Sequence, residues 1–408
     1  MATRPESWGV SCPAKYGFDD FCDELASSLI HGLDHGRIRL KQWQFRTGQF
    51  LNLVAHAKTR HRDSEVVFPI ANPYVPGKPL PDGHPLFIGR SALFDDLART
   101  LWSGAQGNVV ALVGDRRCGK SSVVNNLARR LPPGCRVLAI DAQGLFGDLR
   151  VPLDEAAAAS QGDSRVVLAI DEFDDLEAKV HSGVLPPHTF DALRHTLQHH
   201  PRLAVLLVGT HRLEDLGADY WSFLFNQALY RRLGPLTEPE ARALIADPFA
   251  ACGVTLEELA VRDLLWLGGR EPYLLQLCCH TLAAQVRTTA VTRDELRRTV
   301  RDLARRAEVH LHYLDERLTG FDRAVCLALA ESGNGDPMPA PALAETVFAR
   351  GQATDSEAVT HSLHRLRDQA IVETACGCCW RLRIGLFAEW VRSHRPMPEE
   401  REAAVAAG

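Results

Sequence analysis

The chain has 408 residues, 46% hydrophobic and 24% charged, with a formal net charge of −5. That length supports two or three domains with cores of their own, and the mild negative charge argues against wholesale binding to nucleic acid or an anionic membrane. No apolar run approaches the roughly 18 residues of a membrane span, and the N-terminus lacks a signal-type apolar stretch, so the expectation is a cytoplasmic chain with no membrane partner. Lysine occurs only at Lys15, Lys41, Lys58, Lys78, Lys120 and Lys179 among 46 basic residues, which with the Ala, Gly and Leu richness suits the codon bias of a GC-rich bacterial genome. Arginine abundance is therefore no sign of a nucleic-acid partner. The eleven cysteines are scattered, which predicts reduced thiols. Their one dense cluster, Cys376-Gly377-Cys378-Cys379, has no common zinc spacing and reads as buried small hydrophobes in a strand.

Residues 1–70 carry helical patterns, Phe18 to Leu33 and Gln42 to Ala57, without a motif, and are expected to form a small helical adaptor. A Pro/Gly-rich connector follows, Asn72 to Gly83. Over 71–236, buried-type strands alternate with helices: Val109–Val113, Arg136–Asp141, Arg165–Asp171 and Leu203–Gly209. This predicts an α/β unit, a parallel sheet with helices on both faces. Gly144, Gly147 and Pro152 are expected to break up any long helix after Asp141. Residues 237–308 then show helices only, and 309–396 show helices followed by a strand pair near Ile371–Thr374 and Cys379–Ile384. Three helices plus a hairpin is the pattern of a winged helix-turn-helix. Thr354-x-x-Glu357 reads as a capping box within it, and Leu363, Leu366 and Trp390 as core. Residues 397–408 form a charged, Ala-rich tail expected to be disordered.

The chemistry concentrates where the first strand ends. Gly114-Asp115-Arg116-Arg117-Cys118-Gly119-Lys120-Ser121, followed by Ser122, is a Gly-x-x-x-x-Gly-Lys-Ser loop between a strand and a helix. The two glycines let backbone N–H groups converge on phosphate oxygens at the positive end of the helix. Lys120 supplies a charge for the β- and γ-phosphates, and the Ser121 hydroxyl suits Mg²⁺. The pattern predicts binding of a nucleoside triphosphate.

About fifty residues on, the apolar run Val166–Ile170 ends in Asp171-Glu172. Asp171 is expected to hold Mg²⁺ through water and Glu172 to act as general base on the attacking water. Asp174 and Asp175 read as a solvated helix start. Thr210, at the end of the Leu203–Gly209 run, is either a γ-phosphate sensor or part of a strand-ending turn. Arg231 and Arg232, just before a fifth short strand, are either an arginine finger for a neighbouring subunit or an ordinary surface pair.

Together these residues resemble bacterial STAND-type ATPases, signal-transduction relatives of the AAA+ and origin-recognition ATPases. The resemblance covers about 70–390. It rests on Asn72-Pro73-Tyr74 with Gly77 and Pro79, on Phe87-Ile88-Gly89-Arg90, on both nucleotide motifs, and on Gly268-Gly269-Arg270-Glu271-Pro272-Tyr273-Leu274-Leu275-Gln276, which is similar to the family's Gly-x-Pro lid motif. It implies a P-loop ATPase core, a helical lid and a C-terminal winged helix closing on ATP or ADP with Mg²⁺. Phe87, Ile88, Gly89, Arg90 and Pro272 would flank the base. It further implies slow hydrolysis, a homo-oligomer in the ATP state, and an effector or sensor partner, in signalling or antiviral defence. Two departures stand out: the stretch between the second strand and the Asp-Glu strand is short, and no repeat array follows.

The alternative is a DNA-handling AAA+ loader, in which the winged helix binds duplex. From Leu311 onward there are ten arginines, no lysines and fourteen acidic residues, a net of 10 − 14 = −4. Since phosphate neutralisation dominates DNA binding, this favours a gating or protein-contact role, although His361, His364, Arg365 and Arg367 give one helix a basic face.

Overall fold

The computed structural model describes residues 70–103, 106–161, 164–210, 221, 222, 224, 228–332, 335–350, 355–375 and 377–394. The predicted helices in 1–69, the tail and Cys376 lie outside them. Helix α1 (Ser91–Thr100) and a short hairpin, β1 (Trp102–Ser103) and β2 (Gln106–Gly107), precede β3 (Val109–Val113) and α2 (Lys120–Leu127). There follow β4 (Cys135–Asp141), α3 (Arg150–Ala159), β5 (Arg165–Asp171), α4 (Asp175–His181), α5 (Thr189–His199), β6 (Leu203–Gly209) and β7 (Leu229–Arg232). The five long strands form one parallel sheet in the order β4-β5-β6-β3-β7. Every residue of β3 and β6 is buried, which is why these strands are unbroken Val, Leu and Ala runs rather than alternating ones. One face packs on α1 and α2, the other on α3, α4 and α5. This is the P-loop NTPase fold. Because β6 lies between β3 and β5, the loop after β3 and the carboxylates after β5 sit at the same edge with Thr210 between them.

Two sequence expectations are modified. The stretch after β4 does hold a helix, α3: Gly144 and Gly147 lie before it, and Pro152 falls in its first turn, where a backbone N–H has no intrahelical acceptor. Arg231 and Arg232 lie within the fifth strand rather than before it.

Beyond β7 come α6 (Glu238–Ala251), β8 (Thr255–Leu256), α7 (Glu258–Gly268), α8 (Pro272–Ala283), β9 (Ala290–Val291), α9 (Arg293–Arg306) and α10 (Glu308–Glu316). Thr237 with Glu240 and Thr292 with Glu295 form capping boxes that start α6 and α9. Next are α11 (Gly320–Glu331), β10 (Met338–Pro339), α12 (Ala340–Ala349), α13 (Ser356–Asp368), β11 (Val372–Thr374), β12 (Cys379–Leu382) and α14 (Gly385–His394). The three short strands pair antiparallel in the order β10-β12-β11. Thr354 lies outside the described residues, and Asp355 caps α13 by accepting the Ala358 N–H at 2.8 Å. Leu363, Leu366 and Trp390 are buried.

From α6 to α14 there is one continuous hydrophobic core, because α14 returns to pack on α7, α9, α10 and α11. Its most buried ion pair joins the turn between α7 and α8 to the residue after β12. Arg383 Nη1 lies 2.7 Å from Glu271 Oε1 and donates to the Gly269 carbonyl at 2.9 Å, while its Nε donates to the Ala370 carbonyl at 2.6 Å. Both side chains are nearly excluded from water, at 7% and 11% exposure, so each charge depends on the other. Gly269 adopts φ +56°, and a Cβ there would stand 2.5 Å from Ile384 Cγ1, so glycine is required where the lid turn meets this segment.

Arg383→Met should therefore strand the Glu271 carboxylate and cost about 3–5 kcal/mol of stability. Chemical denaturation checks this; an unfolding midpoint equal to the parental one would contradict a shared core tied at this pair.

Candidate functional site

The nucleotide loop is shaped by backbone conformation. A Cβ on Gly114 would lie 2.8 Å from both Cys118 Sγ and the Leu233 carbonyl, so only glycine fits between the loop and the chain after β7. Arg117 (φ +66°) and Gly119 (φ +103°) are left-handed, which turns successive N–H groups into a concave cradle at the start of α2. Lys120 is buried, yet its ammonium is met by oxygen. Nζ donates to the Gly114 carbonyl at 3.0 Å, the Asp115 carbonyl at 3.3 Å and Thr210 Oγ1 at 3.4 Å. The charge is thus held across the mouth of the loop, between β3 and β6.

Across β6, the Asp171 carboxylate takes a hydrogen bond at 3.1 Å from the Glu172 N–H, and the Ser121 hydroxyl stands near enough to favour its charged form. Burial raises its pKa; the Ser121 and Glu172 donors and Lys120 oppose that rise, and Asp141 adds to it. Glu172 is also pushed up, first by burial, then by Asp171, Asp174 and Asp175, with Lys120 opposing. Its backbone is left-handed at φ +51°, and it lines the cleft. Asp174, expected to be solvated, is instead structural: it accepts the Thr210 N–H at 2.7 Å, and a Cβ on Gly209 would meet its Oδ1 at 2.1 Å. It fastens the end of β6 to the turn after β5 and so fixes Thr210 against Lys120.

The connector from Asn72 to Gly83 is a strap rather than a loose linker. The Tyr74 hydroxyl donates to the Ile245 carbonyl at 2.7 Å, and the Val75 N–H to Gln276 Oε1 at 3.2 Å. Farther on, the Leu80 N–H donates to Ser122 Oγ at 2.9 Å and the Gly83 N–H to Asn126 Oδ1 at 2.9 Å. The strap therefore stitches α6 and α8 to α2. Gly89 (φ +75°) turns the chain so that the Arg90 N–H donates to Glu240 Oε1 at 2.6 Å, and Arg90 Nη1 reaches the Pro235 carbonyl at 3.2 Å. Between strap, loop and α8 lies a cleft of about 980 Å³, part of it open to solvent. Its polar floor is Arg117 to Ser122 with Glu172; its apolar walls include Leu80, Leu86, Phe87, Ile88, Leu244 and Pro272. A polar end and an apolar end in one cleft suit a phosphorylated, ring-bearing ligand.

The structure thus gathers Phe87, Ile88, Arg90, Arg117 to Ser122, Glu172 and Pro272 around one space, with Asp171 and Thr210 joined to it through Ser121 and Lys120. It does not bring Arg231 or Arg232 there. Arg231 pairs with Asp96 and donates from Nη2 to Thr100 Oγ1 at 3.0 Å, while Arg232 Nη1 donates to the Asp368 carbonyl at 3.0 Å. Asp115 and Arg116 face outward, Asp115 onto Arg317 at 2.8 Å. Sequence reading gave no site role to Leu80, Leu244, Tyr273 and Gln276 in the cleft, or to Tyr313 and Arg317 beside the loop. Tyr273 and Gln276 lie within the Gly268–Gln276 motif and Leu80 within the Pro/Gly-rich connector, signals that could have found them; the others carry none.

No protein-family model matches the chain, and no curated protein does either. Among solved structures it is similar to a Walker-type ATPase of Pyrococcus abyssi, with 13% identity and a TM-score of 0.51 over 78% of this chain and 99% of that one. That likeness is one of fold. Looser likenesses are to the ORC1 protein of Aeropyrum pernix in complex with DNA (17% identity, TM-score 0.38, 77% of this chain and 94% of that one). The Holliday junction branch migration motor RuvB of Thermotoga maritima is similarly placed (19% identity, TM-score 0.39, 72% and 92%).

The loop's own thiol offers a test of this geometry. Burial pushes the Cys118 thiol up to about 12, whereas Cys378, expected to be buried in a strand, is exposed in the bend just before β12. At pH 8, iodoacetamide should therefore modify Cys378 and spare Cys118, because the thiolate is the nucleophile. Peptide mapping showing Cys118 alkylated as fast as Cys378 would mean that the loop is not closed over it.

Proposed function

We propose that the cleft binds an adenine nucleotide with Mg²⁺ and that the chain hydrolyses ATP slowly, as a switch rather than a motor. One observation carries this reading: the Lys120 ammonium is pinned between the phosphate-loop carbonyls and Thr210, one strand away from Asp171. Backbone N–H groups of residues 116–120 and the Lys120 charge would bind phosphate oxygens. Ser121 and Asp171, an oxygen-only pair, fit a Mg²⁺ that takes one or two protein oxygens and the rest from phosphate and water. The ion, when bound, neutralises charge on the β- and γ-phosphates. Glu172 would draw the proton from the attacking water, and its raised pKa brings it nearer the range useful for a base. Thr210 would report γ-phosphate occupancy through Lys120. Phe87, Ile88 and Pro272 would enclose the base.

The switch reading, STAND-like and bacterial, draws on how the C-terminal segment is attached. The order of α11, β10, α12, α13 and the β11–β12 hairpin supports reading 320–382 as a winged helix. The helix that would enter a DNA groove in such a module is α13. Here Arg365 is paired with Asp322 at 2.7 Å, and the C-terminal end of the helix is bonded by Arg232. Those commitments favour a gating role over duplex reading. In an ATP-bound homo-oligomer, Arg231 could act as a finger in trans only by leaving Asp96. Residues 1–70 would recruit the effector or sensor partner, in signalling or defence.

Lys120→Ala should abolish nucleotide binding, and Glu172→Gln should retain it while lowering turnover by at least roughly 100-fold. Because burial raises the Glu172 pKa, parental hydrolysis should fall as pH drops through a value above the ordinary carboxylate range, where the base becomes protonated. Titration calorimetry and phosphate release across pH check this. Unchanged affinity in the lysine variant would refute the loop assignment, and parental turnover in Glu172→Gln would refute the base.

A further inference from the structure

The outer side of the phosphate loop is gripped by residues that do not touch the cleft. Arg317, just past α10, places Nη1 at 2.8 Å from Asp115 Oδ1, the second residue of the loop. The Tyr313 ring lies within cation–π range of two guanidinium groups, with Arg116 Cζ at 5.5 Å and Arg317 Cζ at 5.7 Å from its centroid. A loop, a ring and an ion pair are thus interleaved: Asp115, Arg317, Tyr313, Arg116. Both members of the ion pair are about one-quarter exposed, enough shielding for the contact to outweigh an ordinary surface bridge. Helix α10 shares its core with α8, which carries the cleft wall at Pro272 and Tyr273. Moving α8 away from the loop therefore moves α10, and the interleaved contact must come apart.

We infer that Tyr313 and Arg317 are positioning residues, a clasp that holds the phosphate loop against the C-terminal half and sets the rate at which nucleotide enters and leaves. This rests on the nucleotide-binding reading above. Since neither side chain lines the cleft, the clasp stabilises the closed arrangement with or without ligand. Its loss raises association and dissociation rates together and leaves the equilibrium affinity nearly unchanged. A residue that merely kept the loop folded would instead raise the dissociation rate and weaken affinity in step.

The test is stopped-flow exchange of mant-ADP with the full chain. Arg317→Ala should release mant-ADP roughly tenfold faster, the combined scale of one shielded ion pair and one cation–π contact. Its Kd should stay within about threefold of parental. Arg317→Asp should release faster still, and adding Asp115→Arg to it should restore most of the parental rate, because the exchanged charges can pair again. Parental release from Arg317→Ala, a Kd that rises in proportion to the release rate, or a double variant no slower than Arg317→Asp would each overturn the clasp. A parental chain that binds no mant-ADP would refute the nucleotide reading itself, and the clasp with it.

Discussion

A lysine excluded from water needs oxygen atoms around its ammonium, and the sheet is ordered so that Lys120 finds them. Two come from the loop that carries it and one from Thr210 at the end of β6. This works only because β6 runs between β3 and β5, and because Asp174 and the missing side chain of Gly209 hold Thr210 at the right height. The same arrangement faces a carboxylate pair across the ammonium. Removing the positive charge leaves Asp171 and Glu172, both already raised by burial, without their main opposing cation. The site is therefore an electrostatic unit built on parallel strands, and its members cannot be varied one at a time without consequence for the others.

The second constraint is mechanical. The strap over 72–83 binds α2 on one side and α6 and α8 on the other, so the cleft walls are joined at the top by hydrogen bonds between backbone groups and side chains. At the bottom, the Arg383–Glu271 pair and Gly269 join the lid turn to the segment after β12. Helices α6 to α14 share one core, whereas the sheet has its own on each face. Any opening of the cleft must therefore break the contacts that join these cores, among them Arg90 to Glu240, Arg232 to Asp368 and Arg317 to Asp115. Such contacts suit a ligand-dependent change of arrangement, since they enter the balance between its two states.

Much of this was legible in the amino-acid order. Val109–Val113 and Val166–Ile170 are runs that only a sheet covered on both faces can use, and Gly114, Gly119, Lys120, Asp171 and Glu172 carry their chemistry in their spacing. What could not be read depended on packing between distant segments. Asp174 looks like any acidic helix start until Gly209 is seen to lack the Cβ that would displace it. Helix α3 tolerates Pro152 because the residue falls in its first turn, a matter of one or two positions that periodicity does not resolve. Arg231 and Arg232 are an inviting pair in sequence, but Asp96 and Asp368, which hold them, lie more than one hundred residues away in the chain. Arg317 has no motif at all; its meaning comes only from Asp115.

The central claim is that one nucleotide site lies where the sheet unit, the strap and the lid meet. Amide hydrogen exchange with and without Mg·ADP tests it most directly, because a ligand that binds only the folded cleft protects the segments it holds closed. Protection is predicted together in three places distant in sequence: the loop and first turn of α2 over 114–123, the strap and the turn after it over 72–90, and the start of α8 over 272–276. Exchange that is unchanged by the nucleotide, or protection in the loop alone with the strap and α8 as open as before, would contradict a closed site shared by all three.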